Sequence, residues 1–253
     1  MIAALDVIAI SSPEVLALAT AGLLLAGVVK GVTGLGYTTC ALPFLVHAVN
    51  LETAMTLVLI PAMATNFAVA ISGANATTLA RSYARLYVTM LPGIAVGLWL
   101  LANIDRRVAV TLLGCSIIGY VGVSLARPNL SLSRSAASAL QVPVGLINGL
   151  LTGMTGSQVM PLVPYVLAAE RSPDRIVQAI NLGVLIASAA LLAGMTTAGF
   201  ARQEIVALSA VAALPAVAGS WLGQRIRPAI AADHLRTAIL VVLAFAGLGL
   251  IVR

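Results

Sequence analysis

Lys30 is the only lysine in a chain of 253 residues; the other thirteen basic residues are arginine. It ends an apolar run and stands directly before Gly31-Val32-Thr33-Gly34-Leu35-Gly36, with Tyr37, Thr38 and Thr39 following. A second cluster begins at Asn148, 148 − 30 = 118 residues later, and contains Gly149, Thr152, Gly153, Met154, Thr155, Gly156, Ser157 and Gln158. A glycine costs a helix about 1 kcal/mol relative to alanine, so clusters this dense read as helix breaks. Irregular backbone at membrane depth persists only where it is buried in protein or lines a wet cavity. Matched interruptions in two halves of a chain point to a ligand site. Half-helices starting near Tyr37 and Ser157 would aim free N–H groups and positive dipole ends at one region. An ammonium, hydroxyls and N–H donors, with no carboxylate nearby, describe a site for a small mono- or dianion. The expected site is Lys30, Thr33, Gly34, Gly36, Thr38, Asn148, Gly153, Thr155, Gly156, Ser157 and Gln158. The plainer readings are that Lys30 snorkels to the interface and that the glycines serve close helix packing.

Composition says where such a site must sit. Apolar residues make up 60% of the chain and charged ones 9%, against roughly 25% charged in soluble domains. A soluble domain and a disordered chain are excluded. The net charge of +6 is spread over scattered arginines, so no run follows a phosphate backbone and no nucleic-acid partner is expected. What remains is an all-α polytopic protein whose surroundings are the lipid bilayer. Asp6 and Glu14 are the only charges before Lys30, so the first apolar run reads as retained rather than as a cleaved signal. Cys40 and Cys115 read as small buried residues; they give no metal spacing and no disulfide framework. No metal or other cofactor is implied. Glu52 and Asp174 read as helix N-terminal residues. Motifs of hydrolases and kinases are missing, and the one candidate pair, Cys40 and His47, is interrupted by Pro43. The reading is therefore not an enzyme, with an intramembrane enzyme or a non-transporting subunit as the alternative.

Apolar runs fall at about 15–30, 37–49, 53–72, 86–103 and 108–126, and again at 136–152, 157–169, 176–199, 205–223 and 235–252; a span needs about 20 residues. Ordered matches include Gly97-Leu98-Trp99-Leu100 with Gly219-Ser220-Trp221-Leu222. They divide the chain into a first membrane repeat at 1–127, a linker at 128–135 and a second repeat at 136–253. If each broken pair enters and leaves on one side and three full spans follow, nine arginines lie on one side and four on the other. If each pair crosses once, the split is six against seven. Cytoplasmic loops collect Arg and Lys, so the odd count is preferred. It makes the repeats inverted, with the N-terminus outside. Whether the short segments are hairpins or full crossings stays open.

The stretches GVVKGVTGLGYTTCALPFL and GLINGLLTGMTGSQVMPLVPYVL, with PGIAVGLW at 92–99 and PAVAGSW at 215–221, resemble the TauE/SafE family of sulfite exporters. The resemblance covers nearly the whole chain. It implies an inner-membrane permease for sulfite, sulfonates or related small anions, working in export. Direction, proton coupling through His47 or His234, and assembly into an oligomer stay open at this point.

Overall fold

The computed structural model describes residues 13–71, 76–126, 131–229 and 232–252. Asp6, Arg127 and Arg253 lie outside the described residues, as do the side chains of Glu14, Asp233, His234 and Arg236. The described residues form eleven α-helices, one 3-10 turn and no strand. They are α1 Pro13–Thr33, α2 Tyr37–Ala48, α3 Leu51–Ile71, α4 Ala76–Ser82, α5 Ala84–Asn103 and α6 Arg106–Ala126. The second half gives α7 Arg134–Thr155, α8 Leu162–Ala169, α9 Pro173–Thr197, α10 Gln203–Ile226 and α11 Ala232–Val252. Among the described helices, α5, α6, α7, α9 and α10 are long and apolar enough to cross a membrane. Large apolar side chains such as Leu214 and Phe245 stand outward, a surface that water would not tolerate but lipid does.

Local chemistry sets several ends. Ser133 caps α7, its hydroxyl accepting from Ala136 N–H. Asn50 does the same for α3 through Thr53 N–H, and Pro173 opens α9 from the first turn, where its missing N–H costs nothing. Helix α9 closes in a Schellman turn: Phe200 N–H reaches Met195 O, Gly199 N–H reaches Thr196 O, and Gly199 takes φ +76°. Inside α3, Pro61 has no N–H for the carbonyl of Leu57. Ser209 of α10 donates to that carbonyl at 3.0 Å.

Both broken pairs are hairpins. The end of α8 returns to the start of α7, where Tyr165 Oη donates to Ala137 O and Leu132 N–H to Ala168 O. Helix α2 packs back along α1, and Ala19 shares a cavity wall with Leu45 and Ala48. The two hairpins open on opposite faces. An ion pair of 2.7 Å between Glu52 and Arg106 joins the starts of α3 and α6 on the face where α2 ends. Gln178 of α9 donates to Ala70 O near the end of α3, and Gln141 of α7 to Ser82 O; both bonds belong to the other face, where Glu170 pairs with Arg175 at 2.7 Å. Trp99, near the end of α5, and Trp221, near the end of α10, are both exposed, at depths where aromatic belts form.

The tightest packing is α5 on α7 and α1 on α10. Glycines four apart make both seams. A Cβ at Gly145, Gly149 or Gly153 would meet the carbonyl oxygens of Leu86, Met90 or Ile94 within 2.4 Å. Gly27 and Gly31 lie as close to Ala216 and Ser220, and Gly219 and Gly223 to Leu24 and Val28. These are small-xxx-small contacts, in which backbones touch.

Two expectations are corrected. The second half-helix starts at Leu162, not near Ser157, because residues 157–161 form an irregular stretch tied to other segments by side-chain bonds. Cys115 is exposed rather than buried; hydropathy cannot separate a lipid-facing position from a core one.

The Glu170 turn carries a pH prediction. Partial burial pushes the Glu170 carboxyl up, but the bond from Arg175, the backbone N–H groups of Arg171 and Ser172 and the Arg175 charge outweigh it and hold the group below its ordinary value. A lowered folded value means stability present above the unfolded pKa of about 4.3 and lost as pH falls through the folded value. The thermal midpoint in detergent should fall more steeply below pH 4 in the parent than in Glu170→Gln. The difference at neutral pH should be about 1 kcal/mol or less, as for other partly exposed pairs. Parallel pH curves would show that the pair contributes nothing.

Candidate functional site

The first break is short. Helix α1 runs unbroken through Lys30 and Gly31 to Thr33, and Gly34 and Gly36 then turn the chain with φ +78° and +86°. Asn181 of α9 donates to Gly34 O at 3.0 Å. Asn181 lies 181 − 173 = 8 residues into its helix, or roughly 12 Å from that face at 1.5 Å per residue. The break is therefore inside the membrane slab. Gly36, at the N-cap of α2, has no side chain to offer, and no side-chain bond caps that helix start.

The second break is tied to itself and to α9. Gly156 takes φ +74°. Thr152 Oγ1 donates to Ser157 O at 3.1 Å, and Ser157 N–H donates to Thr155 Oγ1 at 3.1 Å. Asn148 Nδ2 donates to Gln158 O and Met160 O. The Gln158 amide exchanges two bonds with the Ser188 hydroxyl, at 3.0 and 3.2 Å. Ser188 is 197 − 188 = 9 residues from the end of α9, about 13 Å from the opposite face. The breaks thus lie at matching depths from opposite faces.

A cavity of about 30 Å³ lies between them, walled by residues 36–39 of the first break and by Gln158 and Val159 of the second. Asn66 of α3, Tyr120 of α6, Val163 of α8 and Ile180 and Val184 of α9 are also on its wall. It has room for a water molecule.

Lys30 is buried, with 2% of its surface exposed. Its ammonium donates to Asn66 Oδ1 at 2.5 Å and to Asn181 Oδ1. Each asparagine is aimed by its own helix: Asn66 Nδ2 donates to Ala62 O at 2.6 Å and Asn181 Nδ2 to Val177 O at 2.7 Å. No carboxylate bonds to the ammonium among the described residues. Lys30 is neither at the interface nor on the cavity wall; Asn66 stands between it and the cavity.

Of the expected site residues, Gly36, Thr38 and Gln158 wall the cavity. Thr33 is exposed, with its hydroxyl closing the turn onto Val29 O and Leu35 O. Gly34 packs on Val177, Gly156 on Met55, and Gly153 in the α5–α7 seam. Asn148, Thr155 and Ser157 are buried in the second break, off the wall. Tyr37, Thr39, Asn66 and Asn181 complete the constellation. Tyr37 and Thr39 follow the first cluster directly, which is their sequence signal; the lone asparagines read more readily as helix-packing donors than as ligands.

Helices of this length and apolarity, two internal breaks and a polar centre without carboxylates among the described residues describe a membrane transport protein. The family model described as sulfite exporter TauE/SafE matches residues 18–250. The chain belongs to the TauE/SafE family. No curated protein and no solved structure matches it. As a TauE/SafE protein it is a multi-pass membrane transporter, and its broken hairpins are the part of the fold that meets at the centre.

Proposed function

We propose that this protein is an inner-membrane permease that exports a small anion, sulfite or a related sulfur oxyanion or sulfonate. Its central site is formed where the two helix breaks approach each other. The observation that carries the reading is the cavity shared by both breaks, with an uncapped helix start on one wall and Lys30 one side chain behind another. Uncapped N–H groups and the helix dipole favour negative charge. A fixed ammonium without a carboxylate partner adds one positive charge at the same depth.

The two halves, about 1–127 and 136–253, are inverted copies in this reading. Hairpins opening on opposite faces support it, as does helix pairing: α1 with α10 is the counterpart of α7 with α5. The face of Arg81, Arg85, Arg171 and Arg175 is cytoplasmic by charge bias. The cavity is smaller than an anion of four heavy atoms, so its walls move apart when the substrate enters.

The test is transport of labelled sulfite, sulfate and a short sulfonate into proteoliposomes that hold only this protein. Saturable sulfite flux above empty vesicles is expected. Folded, reconstituted protein that moves none of the three would end the permease reading.

A further inference from the structure

We propose that the anion is contacted mainly by the first repeat, through the Tyr37 hydroxyl, Asn66 and the first-turn N–H groups of α2, and that the second break is a scaffold. The inference rests on the anion-permease reading and deepens it.

The two breaks look alike in sequence but differ in what they leave unpaired. In the first, residues 36–39 line the cavity and no side chain caps their amides. Tyr37 is 1% exposed, stands on the cavity wall, and its Oη has no hydrogen-bond partner. A buried hydroxyl without a partner costs free energy, and a phenolic O–H is a donor suited to an oxyanion. Asn66 uses its oxygen on Lys30 and one N–H on Ala62 O. Its second N–H is the remaining donor, on a residue that walls the cavity.

In the second break most of the polar side chains are already spent on the break itself or on Ser188. Thr152, Thr155, Ser157 N–H and the Gln158 amide each have a partner within that break or on Ser188. Its stranded atom is Asn148 Oδ1. That atom is an acceptor, which an anion does not seek, and Asn148 is not on the cavity wall. Gln158 keeps one N–H on the wall, but the first break supplies most of the donors there: the Tyr37 hydroxyl, the second N–H of Asn66 and the first-turn N–H groups of α2. Duplication supplied two similar breaks, of which one retained the ligand contacts and the other the geometry.

The bonding pattern makes the test clean. Tyr37→Phe deletes a hydroxyl that bonds nothing among the described residues, so folding should be unaffected. Thr152→Val deletes a bond that holds the second break. Sulfite is the probe, titrated calorimetrically into purified protein in detergent, with thermal midpoints measured alongside. Tyr37→Phe should weaken sulfite binding about ten-fold or more, the range for a hydrogen bond to a charged group, with an unchanged midpoint. Thr152→Val should lower the midpoint and keep sulfite affinity within about two-fold, since the bond it removes is neutral and off the anion. Parent-like binding by Tyr37→Phe, or a loss in Thr152→Val as large as in Tyr37→Phe, would overturn the assignment while leaving the permease reading intact. A parent protein that binds neither sulfite nor sulfate removes that reading and this assignment together.

Discussion

Lys30→Met is expected to abolish sulfite flux and to lower stability at the same time. The ammonium bonds Asn66 Oδ1 and Asn181 Oδ1, and both residues are buried. Methionine fills a similar volume but donates nothing. Two amide oxygens are then stranded, each at about 1–3 kcal/mol. The lost charge matters separately, because no other cation bonds within this cluster among the described residues. Lys30→Gln keeps donors and loses only the charge, so it isolates the electrostatic part. Flux in proteoliposomes at matched protein levels should fall at least about ten-fold in both, a unit charge one side chain away from an anion being worth roughly 2–3 kcal/mol at an effective dielectric constant of about 20. Adding Asn66→Ala to Lys30→Met removes one stranded oxygen and should return part of the stability without returning flux. Parent rates in both single variants would end the charged-site reading.

The second large effect is expected in the α5–α7 seam. A Cβ at Gly149 would sit 2.2 Å from Met90 O and 3.0 Å from Gly93 Cα. Those neighbours are backbone, so no rotamer change relieves the clash. Gly149→Val should destabilise the protein by about 3 kcal/mol or more, above the usual overpacking range because the helices themselves must separate. Gly122→Ala is the control, since nothing lies within 4 Å of that position. Size-exclusion profile and thermal midpoint in detergent report the difference. A Gly149→Val protein as stable as the control would mean that the helices part easily.

Much of this arrangement could be read from residue pattern. Ten apolar segments in two matching sets, interruptions within the clusters at 30–36 and 153–156, and the four-residue spacing of Gly93 with Gly97 and Gly219 with Gly223 were all legible. Density misled elsewhere. Gly31 and Gly153 sit in clusters that read as breaks, yet both continue the same spacing, from Gly27 and from Gly149, and lie in unbroken helices. The glycines outside that register, Gly34, Gly36 and Gly156, are the ones that take positive φ at the breaks. The start of α8 was not legible, because residues 157–161 are held by Asn148, Thr152 and Ser188, contacts that cross between elements. The partners of Lys30 were hidden for the same reason: Asn66 and Asn181 are 36 and 151 residues away.

The glycine seams also determine which parts of this protein can travel. Where one backbone is notched into another every four residues, small sliding raises energy at every notch at once. The next fit comes only after a full helical turn of about 5.4 Å. Helices α1 and α10 therefore behave as one strut, and α5 with α7 as another. The compliant joints are at α3 and α9, which meet these struts through side chains and a few polar bonds such as those of Asn66, Asn181 and Ser209. In the permease reading, alternating exposure of the centre to the two sides of the membrane would be a rocking of two struts against a middle pair of helices. Lys30 rides on one strut and holds both members of that pair.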